Sequence, residues 1–281
     1  RLEYGYQICN FPGGMPLALN VVVCVKQVID PETPMSAFKI DPVSKQVISA
    51  EGIPPVVNGF DENAVEAALR IKDHTDVTVT AVSIGSDFVM DVMKKPLSMG
   101  VDSLVLVDDV EASNLDASAT AYVLSETIKK IGDYDLVICG RQASDWDNAH
   151  VPLGVAELLG IPCVPVAQKI DVLGQVLSIQ ASLDEGYEIV QAPLPSLVTV
   201  SNELGEPRYP TLRGIMSASR KSPTIWTLQD LNLDLTRLAP SFELIDLFIP
   251  VSERSCELIQ GKDDEDAGRN LALRLRQENL L

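Results

Sequence analysis

The sequence predicts an α/β fold built on a doubly wound, mostly parallel sheet, followed by a C-terminal arm. Short β-branched or apolar runs recur at 21–25, 77–83, 103–107 and 134–139, and amphipathic stretches fall between them. Asp, Asn, Gly and Pro punctuate the joins. Strands alternating with helices in this rhythm require crossover connections, and crossovers give parallel pairing with helices on both faces.

The first strand is Val-Val-Val-Cys-Val at 21–25, leading into a polar excursion that holds Pro31, Pro34, Pro42 and Gly52. A helix opens near Asn58-Gly-Phe-Asp-Glu62. Asp61 reads as its N-cap, and Ala64, Val65, Ala68 and Leu69 form one apolar face. A second strand at 77–83 ends at Ile84-Gly85-Ser86, a helical stretch interrupted by Pro96 stops at Gly100, and a third strand covers 103–107. Asp116 reads as the cap of the next helix, with Ala119, Tyr122, Val123 and Ile128 inward. Lys129 and Lys130 complement its C-terminal dipole and Gly132 stops it. The strand at 134–139 follows, then a polar loop and a short helix over 153–159. Beyond Gly160, runs at 163–170, 175–182 and 187–191 read as hairpin strands, and Leu-Val-Thr-Val at 197–200 as a further strand. After Ser201 no βαβ rhythm is visible. That stretch ends in Asp-Asp-Glu-Asp at 263–266 and a helix carrying Leu271 and Leu275. Such a tail cannot build its own core and is expected to pack on a partner subunit. The expected organisation is therefore an N-terminal extension over 1–19, an α/β domain over 20–202, and a loop and C-terminal arm over 203–281. Met15 is read as the natural start.

The 281 residues carry 40 acidic and 22 basic side chains, a net charge of −18. This argues against nucleic acid or an anionic membrane surface as the main partner. No apolar run approaches the roughly 18 residues a spanning helix needs, so no membrane insertion is expected. The five cysteines form no CxxC pair, and Cys24 and Cys139 lie inside apolar runs. Buried thiols in a reducing, cytoplasmic setting fit this usage. With two histidines, a multi-histidine metal site is not expected.

The stretch 139–152, Cys-Gly-Arg-Gln-Ala-Ser-Asp-Trp-Asp-Asn-Ala-His-Val-Pro, joins a strand's carboxyl end to a helix N-terminus. Open α/β sheets bind ligands there, and free amides of the first helical turn favour an anion. Pro152 suits the first helical position, leaving the amides of Asn148 to Val151 to face a phosphate. Asp145 and Asp147 read either as an acid–base pair or as loop and cap acceptors. No nucleophile lies near them, and ribose hydroxyls suit them better than phosphates. His150 reads as a proton shuttle or a packing residue. Trp146 reads as a stacking platform for adenine or flavin, or as a cover for the loop. GxGxxG, Walker A and SGGxDS-type loops are absent.

In order along the chain stand Val-Cys-Val-Lys-Gln-Val-Ile-Asp-Pro (23–31), Asn-Gly-Phe-Asp-Glu-Asn-Ala-Val-Glu-Ala-Ala-Leu (58–69) and Ala-Val-Ser-Ile-Gly (81–85). Leu-Ser-Met-Gly-Val-Asp (97–102), Gly-Arg-Gln-Ala-Ser-Asp (140–145) and Glu-Pro-Arg-Tyr-Pro-Thr-Leu (206–212) complete the set. Together, over about residues 20–280, they resemble the electron-transfer flavoprotein β-subunit family. The resemblance implies a Rossmann-like sheet of the adenine-nucleotide-binding type in a non-catalytic electron-carrier subunit. It implies an α-subunit partner bearing the redox FAD, and a flavoprotein dehydrogenase of the acyl-CoA dehydrogenase type. It also implies a second nucleotide in this chain: AMP in ordinary members, FAD in electron-bifurcating ones. By position, its contacts would be Cys24, Asn58 to Asp61, Ile84, and the loop Gly140, Gln142, Ala143, Asp145, Trp146, Asp147, Asn148, Ala149, His150 and Val151. Asp116 borders the site in bifurcating members. Leu204 matches the anchor of the partner-docking loop, with Glu206 and Arg208 beside it.

The bifurcating pattern Asp-Gly-Asp-Thr-Ala-Gln-Val-Gly-Pro is altered here at Trp146, Asn148, His150 and Pro152. Asp-Thr-x-Ala-Thr becomes Asp116-Ala-Ser-Ala-Thr120, losing a hydroxyl. Asn148 retains an amide donor in place of a second lost hydroxyl. The changes imply a shifted nucleotide, a differently shaped loop or a weakened second site. Asp61 and Asn63 lie nearer the bifurcating outline, so FAD is favoured over AMP. The rival reading is an AMP- or ATP-sensing module without redox work.

Overall fold

The computed structural model describes residues 18–250 and 256–281. The predicted extension over 1–19 lies outside the described residues except at its end, where Leu19 already belongs to the first strand. Two compact units divide between Ile245 and Asp246.

The first unit begins with β1 (Leu19–Cys24), whose valines leave almost no exposed surface. Two short antiparallel pairs occupy the excursion that follows: β2 (Gln27–Val28) pairs with β5 (Val56–Val57), and β3 (Lys39–Asp41) with β4 (Gln46–Ile48). Then come α1 (Gly59–Lys72), β6 (Val77–Gly85), α2 (Met90–Met93), α3 (Lys95–Met99) and β7 (Ser103–Asp108). Next are α4 (Ala117–Ile131), β8 (Leu136–Gly140) and α5 (Val151–Leu159). Asp116 caps α4 as expected, its Oδ1 accepting the Ala119 amide at 2.8 Å. A meander of β9 (Cys163–Leu173), β10 (Val176–Leu183) and β11 (Gly186–Pro193) precedes β12 (Ser196–Val200).

All the long strands join one nine-stranded sheet, together with a last short one. Its order is β11-β10-β9-β12-β8-β1-β6-β7, then β13 (Thr224–Trp226). Pairing is parallel except where β10 meets β9 and β11. Alternation along β1 divides the core. Val21 and Val23 pack with α1 and α3 residues on one face, while Val22 and Cys24 pack with residues of α4 and α5 on the other. This is the doubly wound arrangement, and each fully buried Val or Leu contributes about 1.5–3 kcal/mol to it.

The stretch after residue 203 holds more regular structure than its sequence reveals. It contains α6 (Leu212–Arg220), packed on α3, and β13, which extends the sheet in parallel beside β7. The second unit carries α7 (Asp264–Gln277), capped by Asp263 and braced by an Arg274–Glu257 ion pair at 3.0 Å. None of the residues of α7 is buried. No helix among the described residues is long and apolar enough to cross a membrane.

Candidate functional site

After β1 the chain builds β6 and β7 on one side, then crosses to place β8 on the other. The strand order therefore reverses at β1, and a crevice opens outside the carboxyl ends of β1 and β8, where ligands settle in such sheets. A cavity of about 740 Å³ occupies this position, within the roughly 300–1,000 Å³ usual for small-molecule sites. A smaller hollow of about 460 Å³ lies at the opposite ends of the strands, lined by Asn20 and Gly132 to Asp135, away from the switch point.

Of the predicted contacts, Cys24, Asp61, Ile84, Asp116, Gly140, Gln142, Ala143, Asp145, Trp146, Asn148, Ala149, His150 and Val151 line the cavity. Asn58 and Asp147 do not, but both shape its wall. Asn58 donates through Nδ2 to the Gln142 carbonyl at 2.8 Å, and its Oδ1 accepts the Ser144 amide at 3.1 Å. Spent in this way, the Asn58 side chain makes no capping bond to α1. Asp147 Oδ1 accepts from Gln142 Nε2 at 2.8 Å, closing the loop on itself.

Asp61 corrects a sequence expectation. It is not the cap of α1, which is Asn58, but a buried residue of the first turn. Its Oδ2 accepts the Lys26 amide at 2.8 Å and its Oδ1 the Gly140 amide at 3.2 Å, tying together the ends of β1 and β8. Burial pushes its carboxyl up to about 7, against the pull of Asn58 and the two amides. Gly140 is glycine for the same reason: a Cβ there would stand 2.3 Å from Asp61 Oδ1 and 2.7 Å from the Phe60 carbonyl carbon. Cys24 and Cys139 are register partners on β1 and β8. The Cys139 thiol is raised by its hydrogen bond with Cys24 and by burial, so it is a packing group rather than a nucleophile. At Asp116, burial raises the carboxyl, but amide bonds from Ala119 and Ser241 outweigh it and hold the group ionised below the ordinary aspartate value.

The loop into α5 carries the anion-binding geometry. Pro152 is the second helical residue rather than the first, with Val151 ahead of it. The amides of Asn148, Ala149, His150 and Val151 have no acceptor among the described residues. Asp147 and Ala149 have φ of 51° and 53°, left-handed values at non-glycine residues, while His150 is right-handed. Successive left- and right-handed residues point neighbouring amides into one concavity, and such strain gathers at functional sites. His150 makes no capping bond. Trp146 is 54% exposed, so it lines the cavity without sealing the loop. Asp145 pairs with Lys26 at 2.6 Å. No nucleophile–base pair stands in the cavity among the described residues.

Several lining groups were not expected from sequence, among them Lys26, Ser86, Thr120, the β3–β4 turn and residues of the 240–244 stretch. Of these, Lys26 lies two residues past β1 and Ser86 directly after β6, and closeness to a strand's carboxyl end is the signal that could have found them.

Leu204, Glu206 and Arg208 stand apart from the cavity, on α1. The Leu204 side chain is buried in the core and its carbonyl accepts from Arg70 at 2.7 Å. The Glu206 carbonyl accepts from Arg70 at 3.4 Å. Arg208 reaches Glu66 at 2.8 Å and Asp73 at 2.7 Å. Burial raises Glu66, but Arg208 and Arg70 outweigh it and hold its carboxyl below the ordinary value.

A family model described as "Electron transfer flavoprotein domain" matches residues 46–231. "Electron transfer flavoprotein subunit beta" of Thermoanaerobacterium thermosaccharolyticum is 37% identical over 94% of this chain and 100% of its own length. The chain belongs to the electron transfer flavoprotein β-subunit family. The protein of the same description from Megasphaera elsdenii is 42% identical over 72% of this chain and 76% of its own length. "Caffeyl-CoA reductase-Etf complex subunit CarD" of Acetobacterium woodii is 33% identical over 94% of this chain and all of its own length. As a β-subunit of this family, the chain works in electron transfer and is not itself the catalyst.

Proposed function

We propose that the cavity at the β1–β8 switch point holds the second nucleotide of a heterodimeric electron transfer flavoprotein, that this nucleotide is FAD, and that the complex bifurcates electrons. The unpartnered amides of Asn148 to Val151 carry the proposal. They form a concave donor set at a helix N-terminus, which suits a phosphate. The donor set and the volume of about 740 Å³ fit an adenine dinucleotide. Val151 and its neighbours hold the phosphates, Trp146 stacks on a ring, and Asp145 takes a ribose hydroxyl, while Asp147 braces the loop through Gln142. When bound, the flavin supplies the electron-transfer chemistry; the protein fixes its position and surroundings. Cavity wall beyond the α5 loop, along Asp116 and the β3–β4 turn, favours FAD over AMP.

The 203–281 stretch is the partner-facing part of the chain. Leu204 anchors the docking loop through its buried side chain and the Arg70 bond, and Glu206 and Arg208 fix its course. The exposed leucines of α7, Leu271 and Leu273, support packing of the arm on the α-subunit. The name of the Acetobacterium relative supports an acyl-CoA-oxidising or -reducing flavoprotein as the dehydrogenase partner. The test is titration of the αβ complex with FAD while following the part of its tryptophan emission that Trp146→Phe removes. Saturable quenching supports the reading, and an unchanged emission contradicts it.

A further inference from the structure

The turn of the β3–β4 hairpin brings Ser44, Lys45 and Gln46 to the cavity wall, none of them among the predicted contacts. Opposite stands the 240–244 stretch, contributing Phe242, Glu243 and Leu244. Lys45 Nζ donates to the Leu244 carbonyl at 2.6 Å, latching the two together at the cavity. We propose that Lys45 is a nucleotide-contacting residue, carrying its ammonium to an anionic or carbonyl oxygen in the part of the ligand beyond the adenylate half. This rests on the nucleotide reading above and extends it.

Several observations support it. Among the described residues, two cations line the cavity, and Lys26 is already paired with Asp145. Lys45 has no carboxylate within ion-pair distance among the described residues, and Asp116, which lines the same cavity, accepts the Ala119 and Ser241 amides. An ammonium has three donors, and the single carbonyl bond leaves two of them for a ligand. Lys45 itself stands at φ 54°, a conformation that glycine or asparagine adopts more readily. Asp41 holds the turn that presents the lysine, accepting the Val43 amide at 2.9 Å and the Ser44 hydroxyl at 2.8 Å. The amides of the α5 loop serve the adenylate phosphate, which leaves the hairpin side of the cavity for the remainder of a dinucleotide.

The experiment is calorimetric titration of the αβ complex, with its α-subunit flavin retained, using FAD and separately AMP. Lys45→Met keeps the aliphatic stem and deletes the charge. It is expected to weaken FAD about tenfold while AMP stays within about twofold, and Lys45→Arg to restore most of the FAD affinity. Lys45→Gly removes the ammonium while relaxing the backbone, and the same FAD loss in that variant separates ligand contact from a folding defect. Unchanged FAD affinity in Lys45→Met, or equal losses for FAD and AMP, would overturn the inference. A wild-type complex that binds neither nucleotide overturns the reading of the cavity itself.

Discussion

Replacing Asp61 by asparagine tests the keystone of the switch point. The carboxylate accepts the amides at the ends of β1 and β8, and burial raises it from the ordinary 3.8 to about 7. Between those values the folded chain holds a proton that the unfolded chain has released. Stability from this group is therefore fully present below pH 3.8 and lost as pH rises through about 7. Roughly three pH units at 1.36 kcal/mol each set an upper figure near ~4 kcal/mol. Asparagine turns an NH₂ toward one of the two amide donors, which costs about 1–3 kcal/mol at a buried site. That loss does not titrate. Urea midpoints measured from pH 5 to 8.5 should fall with pH in the parent and stay nearly flat for this group in Asp61→Asn. The variant's deficit is thus largest at pH 5 and shrinks or reverses by pH 8.5. Parallel profiles in the two proteins would refute the assignment of a buried, proton-holding bridge.

Other substitutions probe neighbouring claims. Gly140→Ala places a Cβ 2.3 Å from Asp61 Oδ1 and against the Phe60 backbone; overpacking of about 1–3 kcal/mol or more should lower the urea midpoint, and an unchanged midpoint would deny the close approach. Ala149→Gly should be neutral or stabilise by up to about 1 kcal/mol, because φ is 53° there, although glycine ordinarily weakens a chain; thermal melts decide it. Arg208→Met leaves the buried Glu66 carboxylate with Arg70 alone. Because Arg208 is itself one-third exposed, a loss of about 1–2 kcal/mol is expected rather than the full value of a buried pair. Glu66 is held below its ordinary 4.5, so that deficit should be complete above pH 4.5 and fade as pH falls through the lowered value.

The central sheet was legible because its signals are local. Val21 to Val25 and the other apolar runs announce strands, and Asp116 and Gly132 bracket α4 with a cap and a stop. The α5 loop was legible as a site because it follows a strand and precedes a helix. Three features escaped for physical reasons. Asp61 obeys the local rule for a cap, yet its partners Lys26 and Gly140 lie 35 and 79 residues away. The strand Thr224–Trp226 is only three residues long, too short to show a period, and its pairing with β7 is wholly tertiary. Lys45 belongs to a polar turn whose relation to Leu244 spans 199 residues. Trp146, conspicuous in sequence as a bulky residue where the bifurcating pattern has glycine, is accommodated by a loop that leaves it half exposed.

Chromatography of the nucleotides released from the purified αβ complex tests the central claim most directly. The account predicts two FAD per heterodimer, one of them lost when Ala149→Pro removes one amide of the α5 loop and forbids the left-handed backbone that presents the others. One FAD together with one AMP, or one FAD with no second nucleotide, would contradict it.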